Sequence, residues 1–202
     1  MKSVRKVWYR ARLAVTALAH DGRGVAAIEF AMIVPIMLVL FFGTVEFSSG
    51  VAMDRKVTLM ARTFSDLVSQ NTSVSTTQLQ SFYNADSSIM TPYPATPTTA
   101  VISELYVDPT TLRARVQWSL GYGGATARSV SSTVTTVPSS LLVGGTYLIF
   151  SEINYLYVPT IGYVMNKAGI NLSDVAYTRP RQSACVIYPT PTSGALPACP
   201  TS

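Results

Sequence analysis

Glu29 is the residue of this chain whose setting most demands a chemical explanation. It is the only charged residue in an otherwise apolar run of 21 residues, 25–45. A carboxylate in such a run costs roughly 2.5–3.5 kcal/mol on insertion scales, so a partner is expected for it. Gly24 stands just before the run. A cut between Gly24 and Val25 would make Glu29 the fifth residue of the shortened chain, close to a new cationic amine. Such an amine and the Glu29 carboxylate could neutralise each other in apolar surroundings. Cys185 and Cys199 are the only cysteines, with no histidine nearby and no second pair to complete a zinc site. A disulfide between them is expected in an oxidising compartment, the alternative being two free thiols. It would close a loop of about 15 residues and constrain the unfolded chain by about 3 kcal/mol on the entropy model.

Residues that would perform catalysis are scarce. The single histidine, His20, precedes the proposed cut, so a chain beginning at Val25 has no imidazole for a nucleophile–base pair or a metal. Glu104, Asp108, Glu152 and Asp174 are dispersed along the sequence rather than paired. Gly121-Tyr122-Gly123-Gly124 lacks the lysine and Ser/Thr of a phosphate loop and reads as a turn. No enzyme, metal or cofactor is expected. Tyr147, Tyr155, Tyr157, Tyr163, Tyr177 and Tyr188 read as sheet core with hydroxyls at its margin, the alternative being a partner surface. Arg179 and Arg181 read either as a grip on a partner's carboxylate or as a solvated turn.

Charge narrows the partners further. The chain of 202 residues carries a net charge of +5. Lys2, Arg5, Lys6, Arg10, Arg12 and Arg23, offset only by Asp21, supply all of it, because the nine basic groups of residues 25–202 are matched by nine acids. Nucleic-acid binding needs excess basic charge on the working domain, so it is not expected. A basic segment ahead of an apolar run instead holds the N-terminus in the cytoplasm and sends the following residues outward. At about 1.5 Å rise per residue, a helix over 25–45 is roughly 30 Å long, the thickness of a hydrocarbon core. A secretory signal peptide cut near Gly50-x-Ala52 competes less well, because the apolar run exceeds a usual h-region.

These residues must be positioned by a small set of elements. Residues 4–18 mix Trp8, Tyr9 and Leu13 with basic residues and predict a short helix on the membrane surface. Met53, Val57, Met60, Ala61, Phe64, Leu67 and Val68 recur at three- and four-residue steps, which extends the membrane helix to about residue 69. Pro35 should kink or locally open it. A second helix is expected over 76–90, capped by Thr76 or Thr77, and then an extended Pro-rich linker over 91–97. Residues 100–107, a turn at 108–111 and residues 112–120 read as a hairpin. Its second arm places Leu112, Ala114, Val116, Trp118 and Leu120 on one face. A helical turn at 138–143, a strand over 146–158, and further strand at 176–178 and 184–188 complete an α+β fold, a long helix packed on a small antiparallel sheet.

A basic leader, a glycine and an apolar helix with glutamate at its fifth position resemble the processing site of type IV prepilins and pseudopilins. Glu29-Phe30 followed by Ala31-Met32-Ile33-Val34-Pro35 is similar, more narrowly, to TadE/TadG-like minor pseudopilins of tight-adherence (Tad/Flp) pili. The strong part of the likeness covers residues 24–50. It implies a leader, 1–24, removed by a prepilin peptidase between Gly24 and Val25, and a transmembrane and assembly helix, 25–47, in which Glu29 and Phe30 act. An exported domain, 48–202, would follow. The implied partners are the peptidase, a major pilin and other minor pseudopilins, an inner-membrane assembly platform and membrane lipid. The implied location is the bacterial inner membrane with the C-terminal domain periplasmic, or the pilus surface. The length argues against the much larger members. The other reading is a bitopic inner-membrane protein whose exported domain binds a ligand or envelope component.

Overall fold

The computed structural model describes Val15, residues 22–159 and 169–188, and Cys199. Apart from Val15, the surface helix expected over 4–18 lies outside the described residues, as does Tyr163. The chain divides into two compact units, Met1–Phe47 and Ser48–Ser202. One helix, α1 (Arg23–Ser69), contributes to both, two residues longer at its start than expected.

In the first unit, every side chain of residues 24–47 is exposed except Val34 and Glu46, which are half-buried. A helix apolar all round and left exposed in this way suits a lipid or helix-bundle environment rather than water. Pro35 cannot donate to the carbonyl four residues back, yet the helix runs past it to Ser69. Thr44 Oγ1 donates to the Leu40 carbonyl at 2.8 Å. Its hydroxyl is thus satisfied by the helix's own backbone, as apolar surroundings require.

In the second unit α1 is amphipathic. Met53, Val57, Met60, Ala61, Phe64 and Val68 are fully buried, while Asp54, Arg55 and Arg62 are exposed. Burying a large apolar side chain of this kind stabilises the fold by about 1.5–3 kcal/mol relative to leaving it in water. α2 (Thr76–Ser87) adds Leu79 to the same cluster and continues into a 3₁₀ turn, Ser88–Met90. Its cap is Ser75, not Thr76 or Thr77. Ser75 Oγ accepts from the Gln78 N–H while Gln78 Oε1 accepts from the Ser75 N–H at 2.9 Å, a reciprocal capping box. Residues 91–97 are not extended as expected. The Tyr93 N–H donates to the Met90 carbonyl and the Thr98 N–H to the Ala95 carbonyl, both at 2.9 Å, so the prolines are spent on turns.

Five antiparallel strands follow: β1 (Thr98–Val107), β2 (Ala114–Tyr122), β3 (Thr133–Val134), β4 (Tyr147–Tyr157) and β5 (Ile170–Thr178). Their spatial order is β3-β2-β1-β4-β5, with β1 at the centre. Long helix and curled sheet make the α+β fold that the sequence predicts. β5 is longer than the stretch expected from 176, and residues 184–188 contribute only an isolated bridge, Ile187 to Ser73.

The hairpin differs from its simple alternation. Glu104 faces Trp118, but Leu105 faces Val116, so Gln117 is the extra residue of a β-bulge. One inserted residue reverses the side-chain phase. Trp118 and Tyr122 therefore join the α1 cluster, whereas Ala114 and Val116 join Leu105, Leu148 and Phe150 on the other side of the sheet, closed by Val134 and Val137. Leu112 belongs to neither face. It sits in the turn with φ 52°, its N–H donating to the Asp108 carbonyl at 2.9 Å.

The buried stripe carries the stability of the second unit. Phe64 is fully buried, with ring centroids 6.1 Å from Tyr122 and 6.4 Å from Tyr83. Phe64→Ala should cost about 3–5 kcal/mol. Leu59→Ala, on the exposed side of the same helix, should stay within about 0.5 kcal/mol of the parent. Denaturant titrations followed by near-ultraviolet circular dichroism will separate the two.

Candidate functional site

Gly24, Val25, Glu29 and Phe30 lie on the first turns of α1, all exposed. Val25 and Glu29 are four residues apart and so share one face of the helix. A chain starting at Val25 would present its amine and this carboxylate side by side. Glu29 has no ion pair among the described residues, whose three ion pairs are Arg115–Asp108, Arg128–Glu152 and Arg181–Asp66. Gly24 is unexplained by the fold. A Cβ placed there would meet nothing within 4 Å, so no contact among the described residues requires glycine.

Cys185 and Cys199 form a disulfide with Cα atoms 5.8 Å apart. Cys185 belongs to a clasp that ties the end of α1 to the sheet. The Arg181 N–H donates to the Ser69 carbonyl at 2.9 Å, and the Arg181 guanidinium pairs with Asp66. Arg181 thus grips a carboxylate of its own chain; Arg179 is exposed. Ile187 donates to the Thr72 carbonyl and accepts from the Val74 N–H, each at 2.9 Å. The Tyr188 ring lies 5.5 Å from that of Trp118, and its hydroxyl is 2.6 Å from Thr76 Oγ1.

Glu104 anchors the clasp from inside the core, which sequence reading missed. Its Oε1 accepts from the Val186 N–H at 2.6 Å and its Oε2 from Trp118 Nε1 at 2.9 Å. Burial pushes this carboxyl up to about 8, a rise that the two hydrogen bonds moderate. Asp86 was missed as well. It is 2% exposed on the inward side of α2, neither oxygen has a hydrogen-bond partner among the described residues, and burial raises it to about 8. A signal existed for both, since each is an acid at a position where the helical or strand period calls for an apolar residue.

Among the described residues, the tyrosines of the sheet take the plainer of their two readings. Tyr147, Tyr155 and Tyr157 are buried, Tyr177 stacks on Phe150 at 4.7 Å, and the Tyr155 hydroxyl donates to the Pro94 carbonyl at 3.2 Å. The glycine cluster is a turn: Gly123 and Gly124 have φ of 65° and 89°, and the Ala125 N–H donates to the Tyr122 carbonyl at 3.2 Å.

Two carboxyls kept neutral by burial give stability a defined pH dependence. In the unfolded chain Asp86 and Glu104 ionise near 4, whereas in the fold they hold their protons to about 8. Unfolding between those values releases protons, so stability should fall as pH rises through this window and level off above it. The loss from pH 5 to 8.5 should be on the order of 4 kcal/mol for each group, and Asp86→Asn should remove about half of the total slope. Denaturation midpoints measured across that range will check both.

No curated protein and no solved structure matched the chain. A family model did: residues 24–63, which hold Gly24, Val25, Glu29, Phe30 and the buried stripe as far as Ala61, match that of TadE-like protein.

Proposed function

We propose that the chain is a minor pseudopilin that acts in assembling or priming a Tad/Flp-type pilus. The observation that carries this reading is the TadE-like match over 24–63, which falls on the residues read as a processing site. A helix long and apolar enough to cross a membrane begins at Gly24, consistent with a membrane-anchored protein. The glycine that no contact among the described residues requires supports a demand from outside the chain, such as a prepilin peptidase that must approach the backbone closely. In this reading the role is structural rather than enzymatic. The peptidase frees the Val25 amine, and the helix rests in the inner membrane with the second unit in the periplasm. Contacts with the assembly platform, the major pilin and other minor pseudopilins then draw it into a filament or initiating complex. Glu29 neutralises a neighbouring subunit's amine where neither charge is tolerated alone, and Phe30 packs beside it.

Mass spectrometry of the protein from membranes should find Val25 at the N-terminus, and Gly24→Ala should be processed poorly or not at all. An intact Met1 terminus would favour an uncleaved membrane protein with an exported binding domain.

Glu29→Ala should leave the protein inserted and largely cleaved, since it removes the roughly 2.5–3.5 kcal/mol insertion cost. Incorporation into pili should fail; Glu29→Asp should be partly defective and Glu29→Gln should resemble alanine. Surface pili counted for each variant, after insertion and cleavage are verified, test this. Normal piliation with Glu29→Ala would show the charge to be incidental.

A further inference from the structure

We propose that copies of this chain join edge to edge, the outer edge of β5 in one copy adding to the outer edge of β3 in the next. The proposal goes beyond the pilus reading and stands on the second unit alone. β3 and β5 are the two ends of the sheet, and among the described residues neither has a strand on its outer side. Such an edge offers backbone donors and acceptors to any extended chain, so proteins guard it with lysine, proline or a bulge. β5 has none of these. Its nine residues, Ile170–Thr178, hold neither lysine nor proline, and its register with β4 runs without a shift. What guards it is Asp174, whose Oδ1 accepts from the Val175 N–H at 2.8 Å and so occupies that backbone donor.

The two edges complement each other on both faces of the sheet. Beside β3 opens a cavity of about 380 Å³, lined by Leu112, Arg113, Ala114, Val134, Val137 and Leu142 among others. Ala114, Val134 and Val137 belong to the cluster on the face away from α1. Leu112 is 48% exposed at the cavity's lip, held there in a left-handed conformation that a bulky side chain rarely takes. β5 has an apolar side chain to offer on that face. Val175 is 44% exposed and stands two residues from Tyr177, which stacks on Phe150 of the same cluster, so Val175 points the same way. Charge matches as well. Arg113 is exposed and without an ion pair among the described residues, and Arg115 has a buried Nε with no hydrogen-bond partner there and only a 4.0 Å pairing with Asp108. Asp174, next to Val175 and so on the opposite face, has no ion pair among the described residues. β5 laid along β3 therefore sets Val175 over the cavity and turns the Asp174 carboxylate from its own backbone to the guanidinium of Arg113. Four antiparallel pairings separate β3 from β5, so the two run in one direction. Pairing them in parallel keeps successive copies in one orientation and leaves a new edge after each addition. A heterologous contact of this kind builds rings or filaments, not a closed pair.

The test is photocrosslinking of the full chain in phosphatidylethanolamine/phosphatidylglycerol vesicles. A probe chain, Leu112→p-benzoylphenylalanine, is mixed with an isotope-labelled chain that lacks the probe, so that adducts between copies are told apart by mass. The probe is expected to join the peptide of the labelled chain that carries Val175. Arg113→Asp in the probe chain should lower the yield about tenfold, and so should Asp174→Arg in the labelled chain, because each sets like charges together. The two changes combined, one in each chain, should restore it. No adduct between copies, or adducts on other peptides, would overturn the proposal. A yield that ignores the charge changes would overturn it too. So would a loss that the combined changes fail to restore, since damage to one chain's fold is not repaired by a substitution in another.

Discussion

One hydrogen-bonded helix has to serve two solvents, and the rest of the protein depends on that constraint. Over residues 24–47 its side chains have almost no protein partner, while at Met53, Val57, Met60, Ala61, Phe64 and Val68 they have no exposure at all. A strictly amphipathic helix would leave a polar stripe in lipid, and a uniformly apolar one would leave an oily face in water. Here the pattern changes along the chain, from apolar all round to a single stripe beginning at Met53. The sheet, α2 and the clasp are the means of covering that stripe.

Covering it takes more than one layer. The bulge at Gln117 lets β2 put Trp118 against the helix side and Val116 against the other, so that one strand stabilises two cores. On the helix side, Glu104 pulls the clasp inward through the Val186 N–H. A buried carboxyl is an expensive anchor, and its cost is contained by both donors and by protonation. The disulfide at Cys185 then fixes the same segment covalently, next to the residue that Glu104 holds.

Local pattern made much of this legible. The helix to residue 69, the strands β1 and β4, the 3₁₀ turn at Ser139–Leu141 and the Cys185–Cys199 bond all rest on periodicity or on simple pairing, and all appear. What escaped depends on tertiary context. Alternation in β2 carries no mark of the extra residue, because Val116 and Trp118 look equally suited to one face. Leu112 gives no hint of a left-handed turn, a conformation that favours glycine or asparagine. Glu104 and Asp86 are charges in sequence and become interior groups only once β1 is seen to be central and α2 is seen to be packed. Ser75 was within reach, since Ser-x-x-Gln is a recognisable helix start.

The clasp also sets the order in which the fold can be completed. Ser65 meets Thr178 across 113 residues, and Glu104 meets Val186 across 82. Contacts this distant form only after both segments are available, and the loop-closure cost is met before they return anything. On the proposed topology, α1 reaches the far side of the membrane first and residues 181–188 among the last. During that interval the stripe from Met53 to Val68 has no cover, and exposed apolar surface of this kind is prone to adhere to other chains. Vectorial export therefore turns the distance between helix and clasp into a period of vulnerability, during which the nascent domain has to be kept from its neighbours.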